Sequence, residues 1–258
     1  MNKIELKQML DDHHDLYNCK DFIELDPISI PHKFETKEDR EISGFLAATI
    51  AWGQRKMILR NSNLLMKLMN NQPYHFISTF RDEDLERFED FKHRTFNYDD
   101  LLFFLNALRY IYTEKGGLEQ VFTEGYKKTS TIKGAIIHFR EVFLSVDHLE
   151  RSEKHIANPM KGSAAKRINM FLRWMVRKDD RGVDFGLWKN ISSSDLMCPL
   201  DVHSSRVARQ YGLLQSKQDN WKSVEELTNN LSMFNADDPV RYDFALFGTG
   251  ESISSKKR

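Results

Sequence analysis

Two short segments of this chain contain residues whose types and spacing could do chemistry. The first reads MKGSAAKR over residues 160–167, where four small residues lie between lysines. Small residues allow a tight turn and a close approach to the backbone, and a helix beginning at about Ala164 would present N–H groups that have no partner within the helix. The small residues are Gly162, Ser163, Ala164 and Ala165, and the neighbouring cations are Lys161, Lys166 and Arg167. This combination predicts a phosphate-binding site.

The second segment reads CPLDVH over residues 198–203 and places a carboxylate at a predicted helix start. Asp201 suits the N-cap position of that helix, and His203 follows it by two residues. A carboxylate can stabilise a positive charge or move protons, and a lysine amine can act as a nucleophile when it is unprotonated. Taken alone, Lys166 would be a surface residue and Asp201 a helix cap. Their occurrence together, in a basic stretch of the chain, favours a functional site.

These segments resemble two motifs of the HhH-GPD superfamily, the base-excision DNA glycosylases that contain a helix-hairpin-helix. The hairpin of that superfamily ends in a lysine, and here Lys161 and Ala164 stand in place of its proline and second glycine. Its aspartate lies in a Pro-x-Asp-x-His context, which residues 199–203 match. The 35 residues that separate Lys166 from Asp201 are similar to the spacing in archaeal 8-oxoguanine glycosylases. The whole chain also resembles a bacterial family of unknown function.

The resemblance implies an enzyme of base excision repair, a bifunctional DNA glycosylase and AP lyase that excises an oxidised purine such as 8-oxoguanine. Lys166 would be the nucleophile that attacks the sugar C1′ and forms a Schiff base. Asp201 would stabilise the oxocarbenium-like sugar and help to move protons. Burial and the neighbouring charge of Arg167 would favour the unprotonated amine that attack requires. The partner would be double-stranded DNA with a damaged base or an abasic site, bound by a monomer that extrudes the target nucleotide.

The resemblance also implies contacts with DNA phosphates, which position the enzyme without reading sequence. The DNA-binding residues would be Gly162, Ser163, Ala164, Lys161, Arg167, His203 and Gln54. Gln54 lies in the early AWGQ segment, with Asn61 seven residues further on, and is similar to a DNA-facing glutamine of the superfamily. No cofactor is expected, although members often hold a monovalent cation with hairpin carbonyls. The two cysteines, Cys19 and Cys198, have no metal-site spacing, so no metal site is predicted.

The elements that must position these residues are helices. Apolar residues recur at three- and four-residue spacing over long stretches, and the 258 residues include only 12 glycines and 6 prolines, so the pattern predicts an all-α protein. The clearest helix begins near Lys37, with Thr36 and Asp39 suited to a capping box. Phe171 and Trp174 are predicted core residues of the helix that follows the turn.

The resemblance implies two helical lobes with the helix-hairpin-helix at the cleft between them. We expect a helical barrel over residues 36–178, ending in the helix-hairpin-helix at about 156–177. A second lobe would combine residues 1–35 with residues 179–258. This arrangement would place Lys166 and Asp201 in the cleft.

The charge of the chain constrains its partners. Lys and Arg together number 38, as do Asp and Glu, so the net charge is zero. Residues 151–181 nevertheless contain nine basic and three acidic side chains, a local excess of six. This distribution favours one focused nucleic-acid site over indiscriminate binding. Apolar runs are far shorter than the roughly 18 residues that a membrane span needs, so we expect a cytoplasmic protein.

Two other functions stay open at this point. The chain could be a noncatalytic helix-hairpin-helix protein that binds nucleic acid through its turn, or a helical interaction module whose basic patch binds an acidic protein. If the side chains of Lys166 and Asp201 lie close together, the enzyme is favoured over the noncatalytic nucleic-acid-binding protein. A steep dependence of affinity on salt would distinguish DNA from a protein partner.

Overall fold

The computed structural model describes residues 1–255, and the side chains of residues 1–250. Within these residues the chain forms α-helices joined by 3₁₀ helices and turns. Its extended pairs are two isolated bridges, one between His93 and Phe96 and one between Ser163 and Asn220. The predicted all-α class is therefore confirmed for the described residues. In the same part of the chain, no helix combines the length and the apolar content that crossing a bilayer requires.

The helices follow one another in this order. The α-helices are α1 (Lys3–Tyr17), α2 (Lys20–Leu25), α3 (Lys37–Thr49), α4 (Arg55–Leu68), α5 (Pro73–Thr79), α6 (Asp82–Leu85), α7 (Tyr98–Glu114), α8 (Leu118–Thr129), α9 (Ile132–Phe143), α10 (Lys166–Val176), α11 (Val202–Gln210), α12 (Trp221–Ser232) and α13 (Asp243–Ser255). The 3₁₀ helices are Pro27–Ser29, Pro31–Lys33, Glu86–Phe88, Glu150–His155, Pro159–Lys161, Ser193–Asp195 and Pro239–Tyr242.

The chain divides into two compact units. The terminal unit combines Met1–Glu24 with Pro159–Arg258, and the middle unit is Leu25–Asn158. Both segments that the sequence singles out for catalysis, the turn at 160–167 and the helix start at 198–203, belong to the terminal unit. The expectation that residues 36–178 fold as a separate domain from 1–35 and 179–258 stays a prediction.

The middle unit is built on an aromatic core. α3 begins at Lys37, where the Thr36 side chain accepts a hydrogen bond from the Asp39 N–H at 3.3 Å, which is one half of the predicted capping box. Phe45 on this helix packs against Phe104, Phe139 and Phe143, with ring centroids 6.0, 5.5 and 5.6 Å away. Such pairs contribute roughly 0.5–1.5 kcal/mol each beyond the burial of their area.

The terminal unit is organised around α10. Every residue of this helix from Ile168 to Val176 is buried, because apolar residues occupy most of its circumference. Phe171 and Trp174 have no exposed surface, which confirms that they are core residues. Phe171 meets the ring of Trp188 edge-on, with centroids 5.5 Å apart. The buried part of α10 thus fixes the position of its half-buried first residues, Lys166 and Arg167.

Candidate functional site

The turn before α10 is held by hydrogen bonds on both of its sides. Gly162 has φ +84° and Ala165 has φ +49°, so the chain passes twice through the left-handed region. The Ala165 N–H donates to the Ser163 hydroxyl at 3.2 Å, and the Gly162 carbonyl accepts from the Trp221 N–H at 3.1 Å. A left-handed alanine costs roughly 1 kcal/mol. The turn therefore has one defined shape that ends at Lys166, the first residue of the helix.

The helix starts two residues later than predicted. The sequence suggests a start at about Ala164, whereas α10 begins at Lys166 with Ala165 as its N-cap residue. The difference arises because the left-handed conformation of Ala165 cannot belong to a right-handed helix. As a result, the first helical turn begins at Lys166 and does not include Gly162, Ser163 or Ala164.

The segment before the turn is not an α-helix. Residues Glu150–His155 and Pro159–Lys161 form short 3₁₀ helices, and the Gly162 N–H donates to the Pro159 carbonyl at 3.1 Å. Proline restricts Asn158 before it to an extended conformation, which interrupts any continuous helix. The turn therefore joins a 3₁₀ helix to an α-helix.

Asp201 caps α11 and also faces Lys166. Its Oδ1 accepts hydrogen bonds from the N–H groups of His203 and Ser204 at 2.9 and 3.0 Å. Its Oδ2 lies 3.6 Å from Lys166 Nζ, and the two side chains are 25% and 26% exposed, respectively. The structure thus brings together the two residues predicted to be catalytic. Both remain accessible to a ligand.

The carboxylate of this pair is the stable ionic form. Burial opposes the ionisation of Asp201, but the charge of Lys166 and the N–H groups of Ser204 and His203 outweigh it. Together they hold the pKa of Asp201 below its ordinary value. At neutral pH the group therefore carries a negative charge beside the Lys166 amine.

A buried ionic network adjoins the pair, and sequence reasoning missed it. Arg173 Nε lies 3.2 Å from Asp184 Oδ1, and its Nη1 contacts Asp243. Arg177 Nη1 lies 3.0 Å from the other oxygen of Asp184. Both arginines count toward the predicted basic excess of residues 151–181, but they are almost fully buried and paired with acids. The excess is therefore not a single basic surface.

A signal for this network does exist in the sequence. Arg173 and Arg177 follow Lys166 by 7 and 11 residues, a spacing that puts all three on one face of a helix. Arginines on the inner face of an apolar helix require acidic partners from elsewhere in the chain. Helical periodicity thus indicates that the two arginines are buried, although it does not identify Asp184 or Asp243.

Asp243 lies close enough to Lys166 and Asp201 for their charges to affect its pKa. Burial raises its pKa to about 6, with Arg173 and Lys166 opposing this shift and Asp201 adding to it. Burial likewise raises the pKa of the Cys198 thiol, whose nearest charges include Asp243 and Arg173. The Lys166–Asp201 pair therefore has two buried titratable groups near it, Asp243 and Cys198.

The raised pKa of Asp243 predicts that the stability of the protein depends on pH. Below about pH 4 Asp243 is protonated in both the folded and the unfolded chain. Between about pH 4 and 6 only the folded chain retains the proton, so the free energy of unfolding falls as the pH rises. A pKa raised to about 6 corresponds to a total fall of about 3 kcal/mol. We expect Asp243→Asn to lack this component.

The measurement is urea unfolding of both proteins from pH 4 to pH 7.5. The difference in unfolding free energy, wild type minus Asp243→Asn, should fall as the pH rises. A difference that stays constant over this range would show that Asp243 has no raised pKa.

The other predicted DNA-binding residues differ in their positions. Lys161, Gly162 and Ser163 are exposed at the turn, and Ala164 is half-buried. Arg167 is also half-buried, and burial lowers its pKa to about 10, so it remains charged at neutral pH. His203 is exposed on the first turn of α11. The terminal unit therefore contains all of these residues together with Lys166 and Asp201.

Gln54 lies elsewhere. It belongs to the middle unit, is exposed, and occupies the N-cap position of α4 without a side-chain cap hydrogen bond. Its contact with DNA stays a prediction. Among the described residues, no group of three or more His, Cys, Asp and Glu side chains could hold a metal ion.

Comparison with known proteins identifies the family of the chain. One family model, described as a protein of unknown function (DUF2400), matches residues 26–252 of the 258 residues. The chain belongs to this family. No curated protein and no solved structure matches it. The match agrees with the resemblance to a family of unknown function.

Membership in the HhH-GPD superfamily is wrong. The match that covers most of the chain is with the family of unknown function, and no glycosylase family matches. The two motifs behind that assignment are short, and a small-residue turn or a capping aspartate can arise at any helix start for local reasons. Any function for this site must therefore be argued from its own geometry.

Proposed function

We propose that the protein is a DNA glycosylase and AP lyase that acts on oxidised or abasic nucleotides through a Schiff base. The observation that carries this proposal is the distance of 3.6 Å between Lys166 Nζ and Asp201 Oδ2 in a pair that is about one quarter exposed. Isolated lysines on a surface have no fixed partner, whereas this amine is held on a buried helix beside a carboxylate and Met170. The arrangement places an amine that can act as a nucleophile beside a carboxylate that can stabilise positive charge.

The chemistry at an abasic site needs only these groups. The Lys166 ammonium loses a proton to water, and the amine attacks the C1′ aldehyde. The C–N bond forms, and the aldehyde oxygen leaves as water, which produces an imine. Water then takes a proton from C2′, the C–H electrons form a C2′–C3′ double bond, and the C3′–O bond breaks as the phosphate leaves with its electron pair. The DNA strand is cut by this elimination.

Excision of a damaged base uses the same amine. Attack on C1′ forms the C–N bond while the glycosidic bond breaks, and the base leaves with the bonding electrons and takes up a proton. The sugar ring then opens to the same imine. The ionised carboxylate of Asp201 stabilises the positive charge that develops on the sugar during this step.

The turn before α10 would hold the DNA backbone. Lys161 and Gly162 are exposed beside the first helical turn, where the helix dipole favours a phosphate. His203, exposed on α11, would contact a second phosphate. The proposal retains the two helical lobes predicted from the sequence.

Borohydride trapping tests the proposal. Borohydride reduces the imine to a stable amine, so wild-type protein mixed with a duplex that contains an abasic site or 8-oxoguanine should form a covalent adduct. Undamaged duplex serves as the control. Binding of the damaged duplexes without any adduct would instead favour a noncatalytic phosphate-binding module. Absence of DNA binding would favour a protein-interaction module and would overturn the proposal.

A further inference from the structure

We propose that the middle unit carries a second nucleic-acid-binding surface, centred on Trp52. This Trp52 surface consists of Trp52 with the cations Lys56, Arg60, Lys92, Arg94 and Lys154. It goes beyond the proposed function because it involves none of the residues of the catalytic pair or the turn before α10. Its ligand is the phosphate backbone of nucleic acid, damaged or intact.

Three segments that are distant in sequence meet at Trp52. The Trp52 ring stacks on His155, with centroids 5.8 Å apart and planes at 26°, and meets the ring of His93 edge-on at 4.8 Å. Asn61, on α4, donates to the Lys92 carbonyl at 3.2 Å and lies 3.0 Å from His93 Nδ1. Residues 52–61, 92–96 and 151–155 are therefore fixed relative to one another around a single half-buried indole.

The two histidines are buried and hold the indole in place. Because the Asn61 amide donates to His93 Nδ1, the Nε2–H of this ring can donate to the Trp52 carbonyl at 3.0 Å. His155 lies 3.4 Å from the buried Asp100, which also accepts from the Ser152 hydroxyl at 2.6 Å. A polar network of this extent beneath one tryptophan gives the ring a defined orientation. A preorganised aromatic ring loses little conformational entropy when it binds a ligand.

Arg94 is held over the turn that follows Trp52. Arg94 has φ +56°, a left-handed conformation that costs a non-glycine residue roughly 1–2 kcal/mol. Its side chain crosses Gly53, where an added Cβ would lie 2.9 Å from Arg94 Nη1. Gly53 itself has φ +97°, a conformation that favours glycine. The Arg94 guanidinium therefore lies over the turn that follows Trp52.

The three segments carry a clear surplus of positive charge. Residues 50–63 contain three basic side chains and residues 91–97 contain two, with no acid in either range. Residues 150–155 add two basic and two acidic side chains, of which Glu153 is paired with Arg140. Lys56, Lys92, Arg94 and Lys154 are exposed and form no ion pair within the described part of the chain. Arg151 is not included, because it is paired with Asp100 and with the exposed Asp99.

Nucleic acid is the ligand that fits this combination. Unpaired cations gain most from a polyanion, because each phosphate that they neutralise releases a bound counterion. An aromatic ring among these cations offers a face or an edge to a base, which adds about 1–3 kcal/mol per stacked base. In a chain with no net charge, this local surplus is what would attract such a ligand. An acidic peptide would use the cations but would leave the tryptophan without a role.

Charge reversal tests the Trp52 surface by binding alone and does not depend on catalysis. The test variant is Lys92→Glu with Arg94→Glu, and the control is Lys127→Glu with Lys128→Glu, two exposed lysines at the end of α8 in the same unit. The probes are an undamaged fluorescent duplex and a single strand, measured by anisotropy at several salt concentrations. We expect the test variant to lose at least about tenfold in affinity at low salt and to have a salt slope smaller by about two. The control should change affinity less than threefold.

A second variant keeps the test decisive if Arg94→Glu disturbs folding. Lys56→Glu with Lys154→Glu changes the other two segments and should give the same loss. Equal losses for the test and control variants would show a general effect of net charge, and would overturn the proposal, as would unchanged affinity in the test variants. If the test variants bind fluorescent polyglutamate more weakly than wild type but bind nucleic acid equally well, the surface belongs to an acidic protein instead and the proposal is overturned. None of these results depends on borohydride trapping, so failure of the lyase proposal would be seen separately.

Discussion

Replacing Lys166 by glutamine is expected to abolish borohydride trapping, with at least a ~100-fold loss of adduct, because the substitution removes the only atom proposed to form the covalent bond. Affinity for the damaged duplex should change less than about threefold, since the side chain is one quarter exposed and glutamine retains most of its length. The measurements are adduct yield after borohydride treatment and anisotropy with the same duplex. This split between binding and trapping would identify Lys166 as the nucleophile.

The matched control is Lys161→Gln. It removes an exposed lysine of the same turn, five residues earlier, and should weaken DNA binding slightly while leaving trapping intact. Asp201→Asn should slow base excision but still permit trapping at an abasic site, because the amine remains. Adduct formation by the Lys166→Gln variant at the wild-type level would refute the assignment of the nucleophile.

Arg173→Met is expected to lower the free energy of unfolding by about 3–5 kcal/mol at pH 8, the usual cost of breaking a buried ion pair. Arg173 is 3% exposed and is paired with two buried acids, Asp184 and Asp243. Methionine has a similar length but leaves Asp243 without its cation. Because an unpaired buried carboxyl takes up a proton, the loss should be smaller at pH 5 than at pH 8.

Urea unfolding at the two pH values measures this effect. The control is Arg181→Met, which removes an arginine that is 37% exposed and is paired with the exposed Asp15. That change should cost less than about 1 kcal/mol and should be insensitive to pH. Similar losses for the two variants would mean that the buried network does not stabilise the fold.

The basic stretch of residues 151–181 illustrates the limit of counting charges along a chain. Lys161 and Lys166 are accessible, as expected for a binding site, but Arg173 and Arg177 are buried among acids that lie far away in sequence. Conversely, the positive surplus around Trp52 arises from three segments, none of which is exceptional alone. A sum over neighbouring residues does not indicate which charges meet in space.

The family assignment failed for a related reason. Motifs of six to eight residues record what a helix start and a tight turn require, and those requirements are shared by many unrelated folds. The capping role of Asp201 is therefore confirmed by the structure, whereas membership in the glycosylase superfamily is not supported by the match.

The sequence by itself determined the features that depend on local interactions. Helical periodicity predicted the all-α class, the Thr36 pattern predicted the start of α3, and the small residues after Met160 predicted the turn. These outcomes follow from backbone sterics and from hydrogen bonds between residues a few positions apart.

Only the tertiary structure decided the features that depend on distant segments. It placed Lys166 Nζ 3.6 Å from Asp201, buried Arg173 against Asp184 and Asp243, and gathered three segments around Trp52. Charges of this kind can be paired only when the packing of the apolar core brings their helices together. That packing depends on the shapes of all of the core side chains at once, which no short stretch of the sequence specifies.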